Sequence, residues 1–353
     1  MCDIPSRAGK LAGEPIRITL DAMGGDFGPS VVIPAALDAL KSHRDLELVL
    51  VGDESLLRRE LQNHGAADNP RLSVRHASET VDMDEAPSKA LRYKKDSSMR
   101  VAIDMVKHGA ANACVSAGNT GALMATARFV LKTIPGIDRP AILSAIPSLR
   151  GHTHMLDLGA NADSDSEQLF QFAVMGSVLA SAVNDIPEPR VGLLNIGEEE
   201  GKGVERVKKA GELIAGSNLN YVGFVEGNDI YTGGVDVVVC DGFSGNVALK
   251  TSEGLATMVS HYIREEFSRN WYTRLAGLGA WPVLNALRNR MDPRVYNGAS
   301  LLGLQGIVVK SHGGADSFAY ANAIRMAVLE VRREVPRTIG DRVASALGEN
   351  GRE

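Results

Sequence analysis

The sequence predicts an α/β protein: a mostly parallel sheet with helices on both faces and a helical hairpin projecting from it. Three observations carry that prediction. Short apolar runs of strand length alternate with amphipathic helical patterns, the signature of repeated βαβ units. Five of those runs end in a turn of Gly with Asn, Asp, Ser or Thr that leads into a helical pattern. Such turns, at strand carboxyl ends, are where open α/β sheets bind ligands. A long helical stretch near residues 252–292 breaks the rhythm and predicts the hairpin.

Composition bounds the class. The chain has 353 residues, 44% hydrophobic and 23% charged, enough for a sizeable core. Its 37 glycines fall after apolar runs and mark ligand-facing turns rather than low complexity. A net charge of -5 gives no case for nucleic acid. Cys2, Cys114 and Cys240 form no paired motif and fit a reducing cytosol. No apolar run reaches the ~18 residues of a membrane span, and no signal peptide pattern is present. Residues 1–14 read as a disordered tail, 15–335 as one α/β domain with the hairpin inserted at about 252–292, and 336–353 as a mobile tail.

Ile16, Ile18 and Leu20 make the first strand, and Asp21, Gly24, Gly25 and Asp26 the turn behind it. The glycines allow positive φ or close backbone approach. The two carboxylates suit an orienting, hydrogen-bonding or metal-linked role better than a bare phosphate cradle, although an ordinary βα turn accounts for them too. The spacing is not G-x-G-x-x-G, so the dinucleotide fingerprint is absent. Pro29 and Ser30 then open a helical pattern through Val32, Ile33, Ala36, Leu37 and Leu40.

Further strands are expected at 46–51, 72–74, 113–116, 141–146, 155–157, 191–196, 221–225, 235–240 and 307–310. Residues 87–100 interrupt the rhythm with five cations, Lys89, Arg92, Lys94, Lys95 and Arg100, against Asp96 alone. Such a run is commonly a solvated face. Here it precedes the second glycine turn, where an anion-facing role is equally open.

That turn carries Ser116, Asn119, Thr120 and Gly121. Its side-chain donors and the free N–H groups of a new helix make an anion site. Simple N-capping by Asn119 or Thr120 explains the same residues, and both can hold at once. The third turn holds Asn161. The fourth, 195–203, holds Lys202 but is no P-loop: its Gly spacing is short, the Ser/Thr is missing, and three glutamates would repel a polyphosphate. The fifth holds Asp241, Ser244 and Asn246. Of the eight histidines, His312 beside Gly313-Gly314 is the one placed near the cleft. Five such turns on one sheet edge would build a donor-rich cleft.

Several chemistries are excluded. There is no H-E-x-x-H, no Cys/His zinc spacing and no G-x-S-x-G, and no metal site is expected. Cys114 and Cys240 read as small buried hydrophobes rather than nucleophiles. What remains is phosphate-handling chemistry that works by positioning and electrostatics.

Six segments carry a resemblance. They are Asp21-Ala22-Met23-Gly24-Gly25-Asp26, Lys94-Lys95-Asp96-Ser97-Ser98-Met99, Ser116-Ala117-Gly118-Asn119-Thr120-Gly121-Ala122-Leu123-Met124, Asp157-Leu158-Gly159-Ala160-Asn161, Leu194-Asn195-Ile196-Gly197-Glu198-Glu199 and Cys240-Asp241-Gly242-Phe243. In this order, from about 16 to 335, the chain closely resembles the bacterial phosphate acyltransferases of phospholipid synthesis. The departures are the N-terminal tail and Ala162-Asp163-Ser164-Asp165, neither of which touches the motifs. The resemblance implies a Rossmann-like three-layer fold related to phosphotransacetylases and to isocitrate and isopropylmalate dehydrogenases. It implies transfer of a fatty acyl group from acyl carrier protein to inorganic phosphate, with no cofactor, the acyl phosphate passing to the membrane glycerol-3-phosphate acyltransferase. A cytoplasmic protein at the inner face of the cell membrane follows.

On that reading a phosphate oxygen attacks the thioester carbonyl. Asn119, Lys95 and Asp21 are assigned to catalysis. Gly24, Gly25, Asp26, Ser116, Thr120, Gly121, Asn161, Lys202, Asp241, Ser244, Asn246 and His312 are assigned to substrate binding. The proton donor to the leaving thiolate is not identified. Two rivals are a nicotinamide-dependent hydroxy-acid dehydrogenase of similar fold and a non-enzymatic scaffold at a membrane. The donor-rich turns count against the scaffold.

Residues 264–294 hold six arginines against three acids, so Arg264 and Arg269 are expected to dock the acidic carrier protein. Leu255, Met258, Val259, Tyr262 and Ile263 form an apolar stripe that a twin arm could cover, giving a homodimer. The apolar tip around Trp271, Tyr272, Leu275, Leu278 and Trp281 suits peripheral membrane contact, with Leu278 and Trp281 inserted. Packing of that tip within the subunit or dimer is the other reading.

Overall fold

A computed structural model describes residues 15–350, without the side chains of 288–291, 293 and 347–350. The expected disordered segment 1–14 lies outside the described residues, as do the side chains of Arg288 and Arg290.

The strands are β1 (Ile16–Asp21), β2 (Leu46–Gly52), β3 (Leu72–His76), β4 (Ala113–Ser116), β5 (Ala141–Ser148), β6 (Gly151–Leu156), β7 (Val191–Leu194), β8 (Tyr221–Val225), β9 (Val237–Val239), β10 (Ala299–Leu302) and β11 (Ile307–Lys310). The helices are α1 (Pro29–Ser42), α2 (Glu54–Asn63), α3 (Pro87–Tyr93), α4 (Ser98–Lys107), α5 (Thr120–Leu131), α6 (Ser166–Asn184), α7 (Glu205–Ala215), α8 (Asp229–Thr232), α9 (Gly242–Ser268), α10 (Trp271–Met291), α11 (Ser317–Arg332) and α12 (Val335–Asn350).

All eleven strands join one sheet in the order β3-β2-β1-β4-β11-β10-β5-β6-β9-β7-β8. Pairing is parallel from β3 to β11 and again from β6 to β8, but β11–β10, β10–β5 and β5–β6 are antiparallel. Three reversals leave β6, β9, β7 and β8 running opposite to β1, β4 and β11. The sheet is therefore two parallel blocks set head to tail.

Apolar burial explains the layers. β1 is closed to water on both faces except at Arg17, so its sequence reads as a continuous run rather than an alternation. On one side α1 and α11 pack Ile33, Ala36, Ile324 and Val328 against Ile18, Leu20 and Val115. On the other, α4 and α5 pack Met99, Ile103, Leu123 and Ala127 against Val51, Cys114 and Val308. The second block has its own core of Phe172, Met175, Leu193 and Val237. At about 25 cal/mol per Å² of apolar surface, each fully buried Val, Leu, Ile, Phe or Met among them contributes roughly 1.5–3 kcal/mol.

Three expectations are corrected. β10 was not foreseen; its Ala-Ser-Leu-Leu run lies between Gly298 and Gly303 and holds no β-branched or aromatic residue to mark a strand. The part of the expected mobile tail that is described, up to residue 350, is helical: Val335, Ile339 and Val343 fall at i, i+4 and i+8 and are buried in the second core with α6. The residues read as an apolar tip do not form a turn. Arg269 ends α9 and Asn270 caps α10, so Leu278 and Trp281 lie within α10 itself. Asn270 and Thr273 make a capping box that fixes this break.

Candidate functional site

β1, β4 and β11 are adjacent, parallel and in register, and their last residues form a row. Asp21 pairs with Ser116, and Ser116 with Lys310. Each strand feeds a turn and then a helix: α1, α5 and α11. Three helix N-termini, with their unpaired N–H groups and positive dipole ends, thus follow one sheet edge.

Asp21 lies at the base of this edge, fully buried. A bare carboxylate there would neutralise itself, because burial disfavours its charge. Ser98 and Ser116 each donate a hydroxyl to it at 2.6 Å, and Gly24 N–H adds a third donor at 3.2 Å. Burial pushes the Asp21 carboxyl up from its ordinary value; the Ser116 and Ser98 hydroxyls oppose that rise. Ser98 comes from the start of α4, which puts the far end of the basic run into the site.

The three turns touch. Asp26 N–H donates to Gly313 O at 3.0 Å, and Ser311 N–H to Ser116 O at 2.9 Å. Gly25 has φ +86, and a Cβ there would stand 2.8 Å from the Ala117 methyl and 2.9 Å from Gly313 O. No side chain fits, which is the physical requirement behind this glycine. Asp26 is exposed at the rim. His312 is exposed too; its Nδ1 accepts from Gly314 N–H at 3.1 Å, so a neutral ring carries its proton on Nε2.

Asn119 is committed to the fold. Its Oδ1 caps Ala122 N–H at 2.9 Å, and its Nδ2 donates to Met83 O at 2.7 Å and Glu85 O at 3.1 Å. It ties the loop before α3 to the start of α5. The N–H groups of Thr120 and Gly121, by contrast, have no partner among the described residues. With the exposed Thr120 hydroxyl they form the open end of α5. Lys95 is exposed just after α3.

The remaining predicted residues lie elsewhere, which corrects the expectation of one shared edge. The turns after β6, β9 and β7 hold Asn161, then Asp241, Ser244 and Asn246, then Lys202. Because their strands run the other way, these turns leave the opposite edge of the sheet. Asp157 organises the first two. It accepts from Ile142, Gly159, Ala160 and Asn161 N–H and from Asn161 Nδ2 at 2.6–3.2 Å. Asn161 also donates to Pro140 O, so its buried amide is structural. Asp241 caps α9 through Ser244 N–H at 2.8 Å, and Arg206 bridges Asp241 and Asp163 at 2.8 and 3.0 Å. A Cβ on Gly245 would fall 1.9 Å from Asp157 O, so α9 can start here only on glycine. Asn246 packs over Gly159. Lys202 is paired with Glu199 at 2.8 Å. α9 starts from this edge, and its Lys250 comes within electrostatic reach of Lys310.

Ser98, Asp157, Arg206 and Lys310 were missed as site residues. Lys310 left a signal: a charged residue ends an otherwise apolar parallel strand. Ser98 meets Asp21 across 77 positions of sequence and Arg206 meets Asp241 across 35, whereas the Asp157 carboxyl gathers partners from within 15 positions of itself. No group of three or more His, Cys, Asp or Glu that could hold a metal occurs among the described residues.

Residues 16–338 match the family model described as fatty acid synthesis protein. A phosphate acyltransferase of Methylococcus capsulatus is 66% identical over 330 residues, covering 94% of this chain and 97% of the relative. One from Nitrosococcus oceani is 63% identical over 334 residues, 95% and 98% of the two chains. Among solved structures, a phosphotransacetylase from Streptococcus pyogenes superposes with a TM-score of 0.63 at 19% identity, over 91% of this chain and 95% of that one. A EutD phosphotransacetylase from Staphylococcus aureus gives 0.59 at 15%, over 90% and 94%. At such identities the structural likeness speaks for the fold alone.

Proposed function

The chain belongs to the fatty acid synthesis protein family, with phosphate acyltransferases as its relatives, and is an acyltransferase that uses phosphate as acceptor in lipid synthesis; from that premise we propose that acyl carrier protein is the donor and that the edge formed by β1, β4 and β11 is where transfer occurs. The observation that carries the location is the open N-terminus of α5, with Thr120 and Gly121 N–H unpaired beside the Asp21–Ser116–Lys310 row. A helix end of this kind binds phosphate through N–H groups and dipole together.

Phosphate docked there faces an acyl thioester. One phosphate oxygen attacks the carbonyl carbon and forms the C–O bond. The tetrahedral oxyanion collapses, the C–S bond breaks, and the thiol leaves with the proton that hydrogen phosphate gives up. The protein aligns the two reactants and offers donors to the oxyanion, worth about 10²–10³ in rate per donor in comparable sites. Asn119 acts by fixing α5 and the Met83–Glu85 loop, Asp21 by orienting Ser116 and Ser98, and exposed Lys95 by drawing anions toward the edge. Gly24, Gly25, Asp26 and His312 line the same edge. Asn161, Lys202, Asp241, Ser244 and Asn246 shape the second edge, from which α9 leads toward the first.

The dehydrogenase alternative is not favoured, since the relatives are acyltransferases. Arg264 and Arg269 are exposed on α9 and dock the acidic carrier protein. The exposed stripe of α9, with Leu255 and Tyr262, meets a second copy. The α10 residues Leu278 and Trp281, 72% and 60% exposed, meet the inner face of the cell membrane, where the acyl phosphate passes to the glycerol-3-phosphate acyltransferase. No described helix is long and apolar enough to cross a membrane. Incubation with palmitoyl carrier protein and phosphate, with acyl phosphate trapped as its hydroxamate, tests the whole reading. Absence of hydroxamate would refute it.

A further inference from the structure

Lys310 completes the first edge, and the transfer chemistry gives it no role so far. It is 8% exposed at the end of β11. Its Nζ donates to Ala117 O at 3.2 Å and to Ser311 O. One carbonyl belongs to the turn after β4, the other to the turn after β11. The first turn leads directly to the open end of α5, and the second to Gly313, which holds Asp26 N–H.

We propose that Lys310 is a positioning residue for acyl transfer to phosphate: its buried ammonium clamps the turns after β4 and β11 together, sets the N-terminus of α5, and supplies the countercharge to Asp21. The inference rests on the acyl-transfer reading. A buried ammonium is costly unless its donors and charge are used. Here two of its three donors are taken by carbonyls, and Asp21 and Asp26 lie within electrostatic reach. A neutral side chain could fill the space but could neither donate to both carbonyls nor balance the carboxylates.

The groups that face it come from several elements. Asp21 ends β1, Asp26 sits in the next turn, and Lys250 on α9, exposed and paired with Glu253, lies within electrostatic reach. Cys114 on β4 and Tyr320 on α11 lie within electrostatic reach of Asp21 and are kept neutral by burial. His312 follows in the chain, its ring held by Gly314. Burial lowers the Lys310 ammonium to about 8, against the pull of Asp21 and Asp26. It is charged at neutral pH and discharges above about 8.

Activity and stability must then move in opposite directions. Turnover needs the charged form and falls as pH rises through about 8. Stability rises over that window, because the unfolded lysine holds its proton up to about 10.4 while the folded one has released it. Lys310→Met should lower kcat at least tenfold at pH 7, raise KM for phosphate, keep a cooperative melt, and lose the alkaline limb. Lys310→Arg, charged at every accessible pH, should recover part of kcat and move the limb upward. Wild-type kcat and KM in Lys310→Met would overturn the proposal. Should Lys310→Met not fold, the wild-type profile decides: opposed trends through pH 8 support the role, and a flat kcat refutes it. If the wild type forms no acyl phosphate, the acyl-transfer reading fails separately. Calorimetric binding of inorganic phosphate to wild type and Lys310→Met then tests Lys310 alone, equal affinities counting against it.

Discussion

Asp21 and Lys310 end two strands that run parallel on either side of β4, and Ser116 stands between them in register with both. They are 289 positions apart in the chain, yet one row of the sheet sets an anion, a hydroxyl and a cation side by side. The row is buried, so each member is held by specific donors or acceptors rather than by water. The turns above it inherit that rigidity.

Asn119→Ala should cost both stability and turnover. Loss of the cap alone is worth about 0.5–2 kcal/mol, and two carbonyls in the Met83–Glu85 loop lose their donor. Turnover should fall about tenfold to a thousandfold. Urea unfolding and the hydroxamate assay measure the two. Wild-type turnover with reduced stability would make Asn119 purely architectural.

Glu330 offers a test of buried charge away from the site. It is buried in α11 against the Ser300 hydroxyl, and burial raises its carboxyl to about 7. Between pH 4.5 and 7 the folded state holds this proton more tightly than the unfolded state. Stability therefore falls as pH rises through that window and stays low above it. Glu330→Gln keeps a polar partner for Ser300 and carries no charge. It should raise stability at pH 8 by on the order of 2–3 kcal/mol and flatten the pH dependence. An unchanged melting profile would show that the carboxyl is not perturbed.

Carrier-protein affinity should weaken with added salt, because attraction between exposed charges is screened over about 8 Å at physiological ionic strength. Arg264 and Arg269 are exposed, and Arg269 is only loosely paired with Glu266 at 3.3 Å. Reversing both to Glu should raise the Kd for acyl carrier protein at least tenfold in titrations at low salt. Equal affinity would move the dock elsewhere, the exposed cations around Arg92 and Lys95 being the next surface to reverse.

Replacing Leu278 and Trp281 by Glu should abolish co-sedimentation with anionic liposomes while leaving the acyl-transfer rate in solution intact. Light scattering on the same variant reads the oligomer. Unchanged liposome binding would remove membrane contact from α10. Dissociation to monomers would place these side chains between subunits instead.

The sequence by itself determined the layered α/β class, the strands and the turns. Each is a local matter: apolar runs make strands, and Gly with Asp, Asn, Ser or Thr makes a turn and caps the following helix. Asp21, Ser116, Asn119 and Thr120 were legible for that reason, as were the segments that carry the family resemblance. What only the tertiary structure decided is which turns meet. Three antiparallel steps through β10, β5 and β6 divide the five turns between two edges, and two of those steps run through β10, which was not foreseen from the sequence. Lys310 was legible only as a charge at the end of an apolar run; its burial was not. A lysine ending an apolar run looks like a strand cap in contact with water. It becomes a buried cation only because β4, β11 and their turns close over it, and no local pattern encodes that enclosure.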